Sequence, residues 1–67
     1  MSNPRIVTGI LERHPPLLFL KSDAGHRWRL EVDEQRVTGL IGLRVRVKGR
    51  SKEGTISVEG TFPDNTD

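Results

Sequence analysis

A row of cations is the feature of this sequence best suited to binding a charged ligand. Residues 43–52 read LRVRVKGRSK, with a basic side chain at every second position. The row consists of Arg44, Arg46, Lys48, Arg50 and Lys52. Alternate residues of a β-strand share one face about 6.6 to 6.8 Å apart, so the pattern predicts a cationic outer face that can follow a phosphate backbone. Outward charges that only maintain solubility and discourage edge pairing give the same pattern, so both interpretations stay open.

A second group of residues combines an aromatic ring with cations. Phe19 is predicted to share the outer face of a hairpin with Arg27 and Arg29, where the ring could stack on a base and the arginines could stack or contact phosphates. The alternative is that Phe19 is a peripheral core residue covered by the stems of the arginines. The predicted nucleic-acid-binding residues are Phe19, Arg27, Arg29, Arg46, Lys48, Arg50 and Lys52.

Catalytic chemistry has little support in the same sequence. His14 lies beside two prolines and His26 follows a turn, and neither has a carboxylate at a spacing that fixes a catalytic pair, because Asp23 already serves the turn. Two histidines without cysteine or an acidic cluster do not complete a typical metal site, and the phosphate-cradling glycine motifs are absent from the sequence. We therefore expect a binding module with no cofactor or metal, and not an enzyme.

The elements that position the hairpin residues are predicted to be strands. Residues 5–13 form a first strand, with Gly9 at a bulge or bend where the chain passes from one neighbouring strand to another. Residues 16–32 form a hairpin about the sequence SDAG, in which Ser22 faces His26. The predicted pairs are Leu20 with Trp28 and Leu18 with Leu30 in the core, and Phe19 with Arg29 and Lys21 with Arg27 on the outer face.

A short helix and a final hairpin complete the predicted elements. Residues 33–42 have Asp33 as a helix cap, apolar residues at helical spacing and Gly42 as a stop. Strands 43–50 and 55–62 are predicted to pair about a two-residue turn at Glu53 and Gly54. The predicted pairs are Lys52 with Thr55, Arg50 with Ser57, Gly49 with Val58, Lys48 with Glu59, Val47 with Gly60 and Arg46 with Thr61.

This order of elements resembles the oligonucleotide- and oligosaccharide-binding (OB) fold over residues 5–62. More closely, the motifs VTGILER, DAGHRWRL and GLRVRVKG are similar to those of a family of small uncharacterised bacterial domains. The resemblance implies an all-β, five-stranded OB-fold barrel with a short helix between strands 3 and 4, and it brings no established activity. An SH3-like barrel ranks second, because that fold does not ordinarily place a helix there.

The OB resemblance also implies where the two basic groups lie. The fourth strand of an OB barrel lies between the fifth and the first, so its outer face is not obviously continuous with the face of strands two and three. The loop that carries Arg50 and Lys52 borders the usual binding side and is the best predicted link between them.

Length and composition bound the class of protein. The 67 residues suffice for one domain, predicted over 5–62 with flexible segments at 1–4 and 63–67, and the net charge is only +2. The sequence has no cysteine, its first residues lack the pattern of a signal peptide, and no segment approaches the roughly 20 apolar residues that span a membrane. We therefore predict a cytoplasmic protein with no membrane partner, as a monomer or weak homodimer.

Single-stranded DNA or RNA is the predicted partner, bound through a basic face. The alternative is a protein-interaction or scaffold module that binds no nucleic acid. Binding of a small molecule or saccharide ranks third, because one exposed aromatic ring offers little surface for stacking a sugar.

Overall fold

Five strands account for most of the residues that the computed structural model describes, 4–64. In chain order they are β1 (Pro4–His14), β2 (Leu17–Ser22), β3 (Arg27–Glu31), β4 (Arg44–Lys52) and β5 (Thr55–Pro63). The strands close into a ring in the order β1-β2-β3-β5-β4. The β3–β5 pair is parallel and the other pairs are antiparallel. The prediction of an all-β chain with five strands is confirmed.

The long first strand closes the ring because it serves two neighbours. Residues 4–10 pair with β4 and residues 9–14 pair with β2, so the two ladders overlap at Gly9 and Ile10. A Cβ atom at Gly9 would lie 2.1 Å from the carbonyl oxygen of Lys21, a separation that only glycine allows. The predicted role of Gly9, as the point where the chain passes between neighbouring strands, is confirmed.

The β2–β3 hairpin has the predicted register. Leu18 pairs with Leu30 and Leu20 with Trp28, while Phe19 pairs with Arg29 and Lys21 with Arg27. The turn is closed by the amide of Ser22, which donates to the carbonyl oxygen of His26 at 2.8 Å, and Gly25 takes a positive φ of 89°. The outward position of Phe19 follows from this register.

The prediction of a helix between strands 3 and 4 is wrong. Residues 33–42 contain two 3₁₀ turns, Glu34–Arg36 and Thr38–Leu40, and no α-helix. The cap is as predicted, since Asp33 Oδ1 accepts from the amide of Gln35 at 3.1 Å. Val37, with φ −126° and ψ 8°, interrupts the helical path and is itself 2% exposed. In so short a segment, burial of this one side chain outweighs the weak helical preference of the backbone.

The β4–β5 hairpin follows the predicted register only near its turn. The pairs from Lys52 with Thr55 to Gly49 with Val58 are as expected, and Glu53 and Gly54 both have positive φ, at 51° and 80°. A bulge follows, in which Glu59 has no partner on β4. The observed pairs beyond it are Lys48 with Gly60, Val47 with Thr61 and Arg46 with Phe62, so the predicted partners of these three residues are wrong. The extra residue turns Thr61 inward and Phe62 outward.

The core fills the interior of the ring. It consists of Leu11, Leu18, Leu20, Leu30, Val37, Val45, Val47 and Ile56. Trp28, predicted as a core residue, packs against this cluster but is only partly buried. The centroid of its indole lies 4.5 Å from the imidazole centroid of His26 and 5.3 Å from the Cζ atom of Arg5.

The ends of the chain lie at or beyond the limits of the described residues. β1 begins at Pro4 and β5 ends at Pro63. The flexibility predicted for 1–4 and 63–67 therefore concerns mostly residues outside the described range and stays a prediction. Within 4–64, no helix has the length and apolar character needed to cross a membrane.

Candidate nucleic-acid interface

The cationic row of β4 lies on the outside of the ring. Its basic residues, Arg44, Arg46, Lys48, Arg50 and Lys52, are all exposed. The intervening Val45 and Val47 are fully buried, and Gly49 is buried as well. The predicted alternation is therefore present along the whole strand, and it follows from the need to bury the valines.

Ion pairs occupy only part of this row. Arg44 lies 2.6 Å from Asp23 Oδ2 and 3.0 Å from Asp64 Oδ2, and the Nε atom of Arg50 lies 3.5 Å from Glu59 Oε2. Exposed pairs such as Arg44–Asp23 and Arg50–Glu59 typically contribute about 0 to 1 kcal/mol, whereas the side chain of Asp64 is only 17% exposed, so a ligand competes more easily for Arg50 than for Arg44. The other three cations of the row, Arg46, Lys48 and Lys52, form no ion pair with any residue of 4–64. The positive field of the row is therefore strongest away from Arg44.

The outer face of β2 and β3, here called the hairpin face, carries Phe19, Lys21, Arg27 and Arg29. The ring of Phe19 points outward and is partly buried. The imidazole of His14 meets it edge-on, with 5.7 Å between ring centroids. Arg29 pairs with Phe19 across the ladder and forms no ion pair within the described chain. The hairpin face thus offers one aromatic ring beside one uncompensated guanidinium.

Glu12 of β1 adds a negative charge to the edge of this face. It pairs with Phe19 across the β1–β2 ladder, and its Oε1 atom lies 3.5 Å from Arg27 Nε and 3.7 Å from His14 Nε2. Arg27 is therefore partly neutralised, which the sequence interpretation missed. Alternation with the inward Leu11 predicts that Glu12 points outward, but its approach to Arg27 follows only when β1 is aligned with β2 and β3.

The hairpin face and the cationic row lie on different sides of the molecule. β4 is two strands away from both β2 and β3, with β1 between them on one side and β5 on the other. In a ring of five strands, side chains two strands apart point away from each other. The two groups approach at the β4–β5 hairpin, where Thr55 pairs with Arg29 on one side and with Lys52 on the other. This brings the backbones of Arg29 and Lys52 within two strand spacings, about 10 Å.

Sequence reasoning missed a second exposed aromatic ring, Phe62. The bulge at Glu59 places it beside Arg46 on the outer face, 52% exposed. Ile6 of β1 lies on the other side of β4, paired with Lys48 and 65% exposed. Ile6, Arg46, Lys48 and Phe62 line one shallow groove. Gly60 was the available signal, because a glycine inside a strand often marks a bulge.

The histidines are not brought together for catalysis or metal binding. His14 contacts Phe19 and Glu12, whereas His26 contacts Trp28. In the part of the chain that the structure describes, no group of three or more His, Cys, Asp or Glu side chains could hold a metal ion.

Fold and surface together define a small all-β domain with two basic outer faces, one carrying the partly buried ring of Phe19 and the other the exposed ring of Phe62. A family model described as "Protein of unknown function (DUF5818)" matches residues 8–63, and the chain belongs to this family. The match begins within β1 and ends with β5, so it covers all five strands in whole or part. No curated protein and no solved structure matches the chain.

Proposed function

We propose that this chain is an OB-fold domain of the cytoplasm that binds single-stranded DNA or RNA without catalysing a reaction. The strand order supports the fold assignment, because β4 lies between β5 and β1 as an OB barrel requires. That order replaces the predicted helix as the reason to prefer the OB arrangement over an SH3-like barrel. Two 3₁₀ turns occupy the connection between β3 and β4 in its place.

The position of Phe19 is the observation that carries the proposed function. OB domains bind single strands on the face of strands two and three, where aromatic rings stack with bases. Phe19 points outward on this face and is flanked by Arg29, whose guanidinium is free of ion pairs within 4–64. A base stacked on Phe19 would place its phosphate near Arg29, with Lys52 next along the surface beyond Thr55. Arg27, Arg46, Lys48 and Arg50 add longer-range attraction.

Fluorescence anisotropy with short labelled single strands at low salt tests this proposal. We expect binding at tens of micromolar protein or below, weaker binding to duplex DNA, and a loss of about 5- to 150-fold in affinity for Phe19→Ala, since base stacking contributes about 1 to 3 kcal/mol. Phe19→Leu keeps an apolar side chain and separates stacking from burial. Arg29→Gln should weaken binding, whereas Arg36→Gln, which removes an exposed cation from the 3₁₀ segment, should not. Absence of binding to any single strand would refute the proposal.

A protein-interaction or scaffold role is the second candidate. It is favoured by large apolar side chains that the described surface exposes, at Ile6, Ile10, Leu43 and Phe62. A defined protein partner that is retained after nuclease treatment, together with no affinity for single strands, would favour this role over the first. Self-association would be detected as a mass that rises with concentration in sedimentation experiments.

A further inference from the structure

The groove on the outer face of β1, β4 and β5 has the composition of a site for an anion that carries flat apolar rings. We call this groove, formed by Ile6, Arg46, Lys48 and Phe62, the Phe62 surface. Phe62 pairs with Arg46 across the β4–β5 ladder, and Ile6 pairs with Lys48 across the β1–β4 ladder. The two cations therefore lie side by side on β4, between an aromatic ring on one side and an aliphatic side chain on the other.

The ring of Phe62 packs against the sheet because Gly60, which lies beneath it, has no side chain. A Cβ atom at Gly60 would lie 3.0 Å from the Cε2 and Cζ atoms of Phe62, so the ring extends over the α-carbon of that glycine. Contact with the strand restricts the ring while 52% of the residue stays exposed. Because the ring is already restricted, little side-chain entropy is lost when a base stacks on it, and this favours binding.

Charge indicates which occupant fits this surface. Neither Arg46 nor Lys48 forms an ion pair with any other residue that the structure describes, so nothing in 4–64 compensates them. A second copy of the chain related by a two-fold axis through this groove would bring the same cations against each other. An apolar protein surface would bury them without partners, which is strongly unfavourable. A single-stranded nucleic acid supplies both the missing negative charge and planar rings.

We propose that the Phe62 surface is a second binding site for single-stranded nucleic acid, with one base stacked on Phe62 and the adjoining phosphates at Arg46 and Lys48. This inference rests on the proposed function and adds a site on a different side of the ring from Phe19. The site uses Arg46 and Lys48 of the cationic row as direct phosphate contacts, beyond the longer-range attraction that the proposed function assigns to them. Oligonucleotides too short to reach both aromatic rings bind the two sites separately.

An amide chemical-shift titration with a single strand of about four nucleotides, near the smallest site size of OB domains, tests the second site. Inorganic polyphosphate serves as a polyanion without bases. We expect the oligonucleotide to shift two groups of amides, one around Phe19 and Arg29 and the other around Gly60 and Phe62. Polyphosphate should shift the amides of Arg46 and Lys48 and leave the aromatic protons of Phe62 unchanged.

Variants assign the second group of shifts. Phe62→Ala should weaken binding at this surface by about 5- to 150-fold and leave the titration around Phe19 unchanged. Phe62→Leu should recover little of the loss if the ring stacks. Gly60→Ala keeps the ring but displaces it, so we expect a smaller loss. Lys48→Gln should weaken the second site several-fold more than Lys52→Gln, a matched loss of charge on the same face of β4 that lies outside the groove.

Four other results of the titration would contradict the second site, and the first of them would also contradict the proposed function. No shifts with any single strand would overturn the proposed function and this inference together. Shifts confined to the surroundings of Phe19 would overturn the inference and leave the proposed function standing. Equal shifts of the Phe62 ring with polyphosphate would reduce the surface to a site of generic charge attraction and overturn the stacking. Shifts at Phe62 that depend on protein concentration without ligand would identify contact between copies instead.

Discussion

The salt dependence of single-strand binding gives a quantitative prediction, because the structure separates free cations from paired ones. Lys21 and Arg29 on the hairpin face, and Lys52 beyond Thr55, form no ion pair within the described range. If each neutralises one phosphate, the logarithm of the association constant falls with the logarithm of salt concentration with a slope of about −2, from about −0.7 per phosphate for single strands. A rise in salt from about 50 to about 200 mM should then weaken binding about 20-fold.

Single substitutions turn this slope into a test of individual contacts. Lys52→Gln and Arg29→Gln should each reduce the slope to about −1.4, so that the same rise in salt weakens binding about 7-fold. Arg36→Gln provides the control, because Arg36 is also exposed but lies in the 3₁₀ turn Glu34–Arg36, outside β2 and β3. Anisotropy titrations at four or five salt concentrations measure the slope for each variant. A slope near zero for the wild type, or an equal change for all three variants, would refute phosphate contact at these residues.

Three further predictions concern charge, backbone approach and packing. Glu12→Gln should strengthen single-strand binding up to about fivefold in anisotropy titrations, because removing a carboxylate oxygen 3.5 Å from Arg27 Nε relieves about 1 kcal/mol of competing attraction; unchanged affinity would mean that Arg27 is not part of the site. Gly9→Ala should destabilise the fold by about 1 to 3 kcal/mol or more in urea unfolding, because its Cβ atom would meet the Lys21 carbonyl oxygen. Gly25→Ala has nothing within 4 Å of the added Cβ atom, so it should cost only the strain of its positive φ, about 1 to 2 kcal/mol. Val37→Ala should cost about 2 kcal/mol in the same assay, because Val37 is part of the buried core; a negligible cost would contradict that packing.

The elements that the sequence predicts correctly are those with local rules. Two-residue and three-residue turns restrict register strongly, so the SDAG turn was sufficient to pair Phe19 with Arg29 and the Glu53–Gly54 turn was sufficient to pair Lys52 with Thr55. Alternation of valine with basic residues then assigned the two faces of β4. These features need only neighbouring residues along the chain, which a single sequence supplies.

The features that the sequence did not predict depend on contacts between distant segments. The helical spacing in 33–42 was real, but the buried position of Val37 determined the backbone there, and that position exists only when the ring is closed. Likewise, the neutralisation of Arg27 by Glu12 links β1 to β3 diagonally across β2. Neither contact has a signature at short range.

The bulge at Glu59 explains both the wrong register predicted for part of the β4–β5 hairpin and the chemistry of the Phe62 surface. Without the extra residue, Lys48 would pair with Glu59, and Phe62 would pair with Val45 on the inner side of the ring. With it, the carboxylate of Glu59 instead lies 3.5 Å from Arg50, Lys48 pairs with Gly60, and Phe62 faces outward beside Arg46. One unpaired residue therefore both frees a cation and exposes the aromatic ring next to it. Because bulges are often found where a protein redirects a side chain towards a binding site, the geometry of β5 itself supports a functional role for the Phe62 surface.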